Sequence, residues 1–245
     1  MLFTVDIGNT TVAIAGLEGE RVAFVKKLPS DPGLDWPAAL RQLLEGVEAQ
    51  GAVLSSVVPA LTGPVGEGLK AITGKPVLVV DKTTPTGLDL SGYDTANLGM
   101  DRVVDCVAAL AMYTPPVAVF DMGTATTLSV VDRGGLFRGG MILPGLALGL
   151  EALSARAAQL PPITLSQPEG LLGTDTVSCM KYGALYGAAG AIEGIVRRLE
   201  KELGGLTVVL TGGNSTLVRP LLGIPTVWEP HLTFLGLGEI WKGNN

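Results

Sequence analysis

Two stretches of sequence decide the fold: Val5-Asp6-Ile7-Gly8-Asn9-Thr10-Thr11 near the N-terminus, and Phe120-Asp121-Met122-Gly123-Thr124-Ala125-Thr126-Thr127 in the middle of the chain. Each stretch leads from an apolar strand into an Asp-x-Gly turn with small hydroxylated residues, and apolar residues that can form a returning strand follow. Because the two stretches lie nearly half of the chain apart, they indicate two similar lobes and not an array of short repeats. We therefore predict one lobe over residues 1–114 and a second over residues 115–245.

Predicted strands and helices alternate along both lobes. The strands cover residues 2–5, 12–17, 21–27, 52–58, 76–80, 117–120 and 206–210. One helix begins at Asp35, another lies between the strands at 52–58 and 76–80, a third begins near Gly99, and a long one covers residues 175–203. Residues 139–145 form a turn-rich stretch. This alternation predicts an α/β fold with a partly parallel sheet in each lobe.

A row of glycines lies along the predicted long helix, at Gly183, Gly187, Gly190 and Gly194. A glycine inside a helix costs about 1 kcal/mol relative to alanine, so this spacing indicates the close approach of another backbone. That backbone could belong to the protein's own sheet or to a second subunit, and the sequence leaves both interpretations open.

Charge and hydropathy exclude several classes of partner. The formal net charge of −6 and a pI near 4.8 argue against a nucleic-acid-binding protein, and the basic residues form no dense cluster. The apolar runs are too short to span a bilayer, and the N-terminus lacks the pattern of a signal peptide. We expect no membrane partner.

Cysteine and histidine are scarce. Cys106 and Cys179 are far apart and lack the spacing of a zinc site or a disulfide framework, so we expect two reduced cysteines in the core and a cytoplasmic location. His231 is the single histidine, which makes a histidine-based triad improbable and favours a carboxylate as general base.

The Asp-x-Gly turns indicate phosphate chemistry. Glycine lets the backbone approach a phosphate closely, and successive N–H groups in such a turn form an anion-binding concavity. An aspartate at the end of the strand can hold Mg²⁺ directly or through water. The other familiar nucleotide motifs are missing, because neither a GxxxxGK[ST] loop nor a GxGxxG turn after a strand is present.

Four motifs in order resemble those of type III pantothenate kinases: Asp6-x-Gly8-Asn9-Thr10, Gly99-x-Asp101-Arg102, Asp121-x-Gly123-Thr124-Ala125-Thr126 and Gly139-Gly140-x-Ile142-x-Pro144-Gly145. The resemblance implies two similar actin-like (ribonuclease H-like) lobes, each a mixed sheet flanked by helices, with the active site in the cleft between them. It also implies transfer of a phosphoryl group from ATP to the primary hydroxyl of pantothenate, the first step of coenzyme A biosynthesis. A homodimer, Mg²⁺ and a monovalent cation (K⁺ or NH₄⁺) are further implications.

The resemblance also implies roles for individual residues that bind the nucleotide and the metals. Asp6 would organise Mg²⁺, Asp121 would ligate the monovalent cation, and Thr124 would contact the nucleotide phosphates. The rest of the ATP-binding turn would consist of Ile7, Gly8, Asn9, Thr10, Thr11, Val12 and Ala13.

On the acceptor side, Asp101 would accept the proton of the pantothenate hydroxyl as the catalytic base. Arg102 can pair with a substrate carboxylate through two parallel hydrogen bonds, which lysine cannot reproduce. Pantothenate would be held by Tyr93, Gly99, Met100, Asp101, Arg102 and Thr176.

Two other functions remain open at the level of sequence. One is a non-catalytic regulator on the same fold, resembling the Bvg accessory factor proteins, although such a regulator has no need of Asp6, Asp101 and Asp121 together. The other is an actin-like sugar kinase or ATPase. A sugar site usually calls for several acids and amides, whereas the motif at residues 99–102 offers one acid and one cation.

Overall fold

The computed structural model describes residues 1–156 and 161–245, which form two compact units. The first unit comprises Met1–Met112 together with His231–Asn245, and the second comprises Tyr113–Pro230. The boundary after residue 112 lies close to the one expected at 114. The C-terminal segment His231–Asn245, which the sequence predicts in the second lobe, instead belongs to the first unit. It does so because its apolar residues, among them Phe234, Leu237 and Ile240, pack into a core of the first unit.

The first unit is built on a five-stranded sheet in the order β3-β2-β1-β4-β5. Its strands are β1 (Leu2–Ile7), β2 (Thr11–Glu18), β3 (Arg21–Pro29), β4 (Ala52–Ser56) and β5 (Val77–Val79). Its helices are α1 (Trp36–Leu43), α2 (Pro59–Thr73), α3 (Met100–Met112) and α7 (Leu232–Gly243), the last being numbered in chain order. The sheet is mixed, since β1 pairs antiparallel with β2 and parallel with β4.

Side chains of β1 alternate between two apolar layers, as the two-residue period of a strand requires. Phe3, Val5 and Ile7 lie in one core with residues of α1 and α2. Leu2 lies in the other core, which residues of α3 and α7 cover. Asp6 shares the face of Leu2, so its carboxylate lies at the end of the strand on the side of α3.

The second unit is built on another five-stranded mixed sheet, in the order β10-β9-β6-β7-β8. Its strands are β6 (Val117–Met122), β7 (Ala125–Val131), β8 (Phe137–Pro144), β9 (Thr207–Thr211) and β10 (Val227–Trp228). Its helices are α4 (Leu146–Arg156), α5 (Thr176–Leu203) and the short α6 (Ser215–Val218). The central strands repeat the first unit, because β6 pairs antiparallel with β7 and parallel with β9.

The long helix predicted at 175–203 is confirmed as α5. Asp175 caps it: its carboxylate accepts from the Ser178 backbone N–H at 3.0 Å, and Ser178 Oγ in turn accepts from the Asp175 backbone N–H at 3.1 Å. This reciprocal capping box explains why the helix begins where it does. The turn-rich interpretation of residues 139–145 is wrong, because most of that stretch lies in β8, which pairs with β7 and carries an irregularity opposite Val130 and Val131.

The glycine row on α5 does not pack on the protein's own sheet. A Cβ atom added at Gly183, Gly187 or Gly190 would meet nothing within 4 Å in the described part of the chain. Burial against the sheet is instead provided by Leu185, Ala189, Ile192 and Val196. Of the two interpretations offered by the sequence, the structure therefore contradicts packing on the sheet.

The two cysteines differ in their surroundings. Cys106 is buried in α3, whereas Cys179 is exposed in the first turn of α5, so the expectation of two core cysteines is wrong for Cys179. Within residues 1–156 and 161–245, no helix combines the length and the apolar character needed to cross a membrane.

Candidate active site

The carboxylate of Asp6 is fixed by the pairing of two parallel strands. Asp6 on β1 lies opposite Ser55 on β4, and Ser55 Oγ donates a hydrogen bond of 3.0 Å to Asp6 Oδ1. Ser55 is fully buried. The register of the sheet therefore determines the orientation of this carboxylate.

The turn after Asp6 is tied to the end of β3. The backbone N–H of Gly8 donates to the Thr11 carbonyl at 3.0 Å, and a Cβ at Gly8 would lie 3.3 Å from that oxygen. Ser30 binds the turn twice: its Oγ donates to the Gly8 carbonyl at 2.6 Å, and its backbone N–H donates to the Thr10 carbonyl at 3.1 Å. Asn9 and Thr10 are exposed at the tip. The turn is thus held in one shape with its polar side chains outward.

Asp101 lies in the first turn of α3. Its Oδ1 accepts a hydrogen bond of 2.9 Å from the Arg102 backbone N–H. A Cβ atom at Gly99 would collide with Asp101 Oδ1, so a larger residue there would displace this carboxylate. Arg102 is buried, unlike most arginines. The motif at residues 99–102 therefore places an acid and a buried cation on adjacent residues.

The carboxylates of Asp6 and Asp101 interact. Burial and, to a smaller extent, the negative charge of Asp101 together raise the pKa of Asp6 from 3.8 to about 6, against the opposing hydrogen bond from Ser55. Burial also raises the pKa of Asp101, while its hydrogen bond to the Arg102 backbone and the charge of Arg102 act in the opposite direction. Two partly desolvated carboxylates in one place favour the uptake of a proton or a cation.

The other residues that were predicted to bind the phosphoryl acceptor lie in different places. Met100, next to Asp101, is half-buried at the start of α3. Tyr93 is half-buried in the segment before α3, where its backbone N–H donates to the Leu90 carbonyl at 3.0 Å. Thr176 is exposed at the first residue of α5, in the second unit. Within the first unit, the structure thus brings Asp6 together with Asp101 and the residues adjacent to Asp101.

In the second unit, Asp121 ends β6 beneath the turn at residues 211–214. Gly212 has a φ of 82°, and a Cβ atom there would collide with Asp121 Oδ1. Asn214 secures the turn, since its Nδ2 donates to the Gly123 carbonyl at 3.1 Å and its backbone N–H donates to the Met122 carbonyl at 3.0 Å. The turn therefore closes tightly around the Asp121 carboxylate.

Thr124 is exposed at the tip of the second Asp-x-Gly turn. Its carbonyl accepts a hydrogen bond of 3.2 Å from the Gly145 backbone N–H, and a Cβ at Gly145 would collide with that carbonyl. The motif at residues 139–145 thus supports the turn through its last glycine.

Sequence reasoning missed Ser55 and Ser30. Ser55 follows the buried residues 52–54, at the carboxyl end of a strand parallel to β1, so its position was a signal that could have been used. Ser30 gave no such signal, because its contact with the turn depends on the length of β3.

In the described ranges 1–156 and 161–245, no group of three or more His, Cys, Asp or Glu residues is placed to hold a metal ion. Mg²⁺ in phosphoryl-transfer sites usually has one or two carboxylate ligands, with the remaining ligands coming from phosphates and water. Asp6, raised in pKa and next to Asp101, fits that pattern.

Solved structures share this fold. A protein described as a Baf family transcriptional activator from Campylobacter jejuni aligns with a TM-score of 0.64 and 19% identity, covering 99% of this chain and 98% of that chain. A protein described as an N-acetylmannosamine kinase from Listeria monocytogenes aligns with a TM-score of 0.54 and 14% identity, covering 100% of this chain and 99% of the other. The predicted actin-like architecture of two mixed sheets flanked by helices is confirmed.

Sequence relatives are more specific. A profile described as type III pantothenate kinase matches residues 2–198. A type III pantothenate kinase of Moorella thermoacetica is 36% identical, with 100% of both chains covered. Another, of Rhodospirillum centenum, is 38% identical and covers 100% of this chain and 99% of its own length. The chain therefore belongs to the type III pantothenate kinase family.

Proposed function

We propose that Asp6, Asp101 and Arg102 are the central residues of this pantothenate kinase. The chain is a phosphotransferase that acts on the alcohol group of pantothenate in coenzyme A biosynthesis. The observation that carries the assignment is the placement of two fixed carboxylates close enough to interact: Asp6 is held by Ser55 and Asp101 by the Arg102 backbone, and burial first and the charge of Asp101 second raise the pKa of Asp6. Such coupled acids are typical of functional sites and uncommon in ordinary surfaces.

Asp101 is the general base in this proposal. Phosphoryl transfer needs mainly alignment and compensation of charge, so a carboxylate beside the acceptor can orient the hydroxyl and take its proton late in the step. Burial raises the pKa of Asp101 and so makes its anion a stronger base. Its hydrogen bond to the Arg102 backbone holds the carboxylate in place before substrate binds.

Arg102 binds the carboxylate of pantothenate. Arg102 is buried, and its guanidinium presents a planar set of donors that matches a carboxylate. Gly99 and Met100 flank Asp101 and shape the acceptor site. We assign Tyr93 and Thr176 to pantothenate as well, on the basis of the family resemblance.

ATP is the phosphoryl donor, and its phosphates bind the turn that follows Asp6. Gly8 permits the close backbone approach, while Asn9 and Thr10 offer exposed donors at the tip. Mg²⁺ would be held by Asp6, directly or through water, and would offset the charge of the phosphates. Thr124, exposed on the second Asp-x-Gly turn, would donate a further hydrogen bond to the phosphates of ATP.

A monovalent cation, K⁺ or NH₄⁺, is assigned to Asp121. The carboxylate lies beside a tight turn in which a side chain at Gly212 would collide with Asp121 Oδ1 and with the backbone of Met122. A monovalent cation that is coordinated by carbonyl and carboxylate oxygens suits such surroundings better than a transition metal.

The protein is a homodimer that associates through the second unit. Large apolar side chains are exposed there, including Leu172 at 81%, Leu171 at 69% and Ile142 at 69%. The open glycine row on α5 lies in the same unit, next to an apolar groove of about 480 Å³ between α4 and α5. Large exposed apolar side chains on one unit favour an interaction surface, and a second copy is the partner that the family implies. We place this dimer in the cytoplasm.

The direct test is turnover of labelled ATP with pantothenate, with and without K⁺, beside a panel of hexoses. We expect phosphorylation of pantothenate alone, and loss of at least about a hundredfold in kcat for Asp101→Asn with a melting temperature that is not lowered. Full activity in Asp101→Asn would remove Asp101 as the base. Phosphorylation of hexoses in preference to pantothenate would contradict the assignment of the acceptor site.

A further inference from the structure

Helix α7 contacts α3 one turn beyond the proposed catalytic base. Thr233, in the first turn of α7, donates a hydrogen bond of 2.7 Å from Oγ1 to Asp105 Oδ1. Asp105 is only 3% exposed, and it lies four residues after Asp101 on the same side of α3. A buried carboxylate of α3 is thus oriented by a hydroxyl from a segment distant in sequence.

A second contact fixes the distance between the two helices. Gly236 follows Thr233 by about one turn, and a Cβ atom there would collide with the carbonyl of Val104. Leu232 and Leu237, on either side, are fully buried. The backbone of α7 therefore rests directly on the backbone of α3, and the α3 position cannot relax towards α7.

We infer that Thr233 is a positioning residue for the kinase reaction, acting through Asp105 to hold the α3 turn that carries Asp101 and Arg102. A hydrogen bond to a buried carboxylate is among the stronger ones in a protein. Displacement of a catalytic group by about 1 Å can cost on the order of a hundredfold in rate. The inference rests on the proposed roles of Asp101 and Arg102.

The position of α7 in the chain makes this role separable from nucleotide binding. The proposed ATP turn is held by β1, β2 and the end of β3, through bonds that do not include α7. A change at Thr233 should therefore affect the acceptor step and leave the nucleotide step intact.

The experiment compares Thr233→Val, which keeps the shape but removes the hydroxyl, with Thr233→Ser, which restores it. In the full chain, Thr233→Val is expected to lower kcat/KM for pantothenate by roughly tenfold or more, while the Kd for ATP without pantothenate stays within about twofold. Thr233→Ser is expected to recover most of the loss. Equal loss in the ATP Kd and in the pantothenate parameters would overturn the proposal.

A matched control separates positioning from lost stability. Leu40→Val, in α1 on the opposite face of the sheet, removes buried surface without contact to α3. If Leu40→Val lowers kcat/KM as much as Thr233→Val at a similar melting temperature, Thr233 is merely structural. Should Thr233→Val not fold, Thr233→Cys, with its weaker donor, is tested in its place, and its loss of kcat/KM for pantothenate is compared with its change in the Kd for ATP.

Failure of the base assignment has a different signature. If Asp101→Asn retains full activity, Asp101 is not the base, and the Thr233 variants are then judged by KM for pantothenate, which Arg102 governs. An unchanged KM together with an unchanged kcat in Thr233→Val would overturn the positioning role in either case.

Discussion

Ser55 and Asp6 face each other across the parallel pair β1–β4, and the hydroxyl of Ser55 donates a 3.0 Å hydrogen bond to the Asp6 carboxylate. This bond stabilises the ionised form of Asp6 and so opposes the effect of burial. Removing it in Ser55→Ala should raise the Asp6 pKa above its present value of about 6. A carbon-13 NMR titration of the Asp6 carboxyl, without metal or nucleotide, measures this directly, and an unchanged pKa would count against the bond.

Asp6→Asn should stabilise the ligand-free protein at neutral pH. The pKa of Asp6 is raised from 3.8 to about 6 in the folded state, so the folded chain binds this proton more tightly than the unfolded chain. The stability that the folded protein gains from binding this proton is fully present below pH 3.8 and is lost as pH rises through about 6. We expect Asp6→Asn to gain about 1 to 3 kcal/mol over the wild type between pH 4 and pH 7.5, measured by urea unfolding. The same variant should lose kinase activity.

Gly212→Ala should disturb the Asp121 site. Its φ of 82° and the collision of a Cβ with Asp121 Oδ1 predict a loss of about 2 kcal/mol or more and a weaker response of the rate to K⁺. Gly213→Ala is the matched control, because a Cβ there would meet nothing within 4 Å. Melting temperature and K⁺ titration of the rate are the measurements. Equal behaviour of the two variants would argue against the Asp121 assignment.

Thr4→Val should be neutral or stabilising. Among the described side chains, Thr4 Oγ1 is a buried polar atom without a hydrogen-bond partner. Replacing an unpaired buried hydroxyl by a methyl group removes a desolvation penalty of about 1 kcal/mol. Chemical unfolding should show this gain, whereas Ser55→Ala, which removes a paired hydroxyl, should show none. A clear destabilisation by Thr4→Val would mean that the hydroxyl has a partner in solution.

The double variant Leu171→Glu/Leu172→Glu should weaken the proposed dimer. Both side chains are largely exposed in the second unit. Burying a charge in an apolar interface carries a desolvation penalty, which would weaken association. Light scattering coupled to size-exclusion chromatography should show monomer at concentrations where the wild type is dimeric. Val79→Glu, on an exposed position of the first unit, is the control and should not change the mass. A monomeric wild type would contradict the dimer itself.

Local signals in the sequence predicted much of this fold. The two Asp-x-Gly turns are formed by neighbouring residues, so their strands and hairpins follow from short-range patterning. The start of α5 was predicted because Asp175 is an N-cap whose partner lies three residues away. These features depend on contacts within one or two turns of chain.

Long-range contacts were not predictable in the same way. The Ser55–Asp6 bond depends on the register of two strands, and the Thr233–Asp105 bond joins residues that are 128 positions apart. The strand at 137–144 was mistaken for turns because its glycines concealed its pairing with β7. The packing of α7 on the first unit likewise depends on contacts between residues that are far apart in the chain.

Because α7 follows the entire second unit in the chain, the first unit cannot close during synthesis until the second has been made. Until then the core around Leu2 is covered by α3 alone and lacks the apolar residues of α7, such as Phe234 and Leu237. During translation, α7, which supports the helix that carries Asp101, therefore becomes available to pack on the first unit only after the whole second unit has left the ribosome.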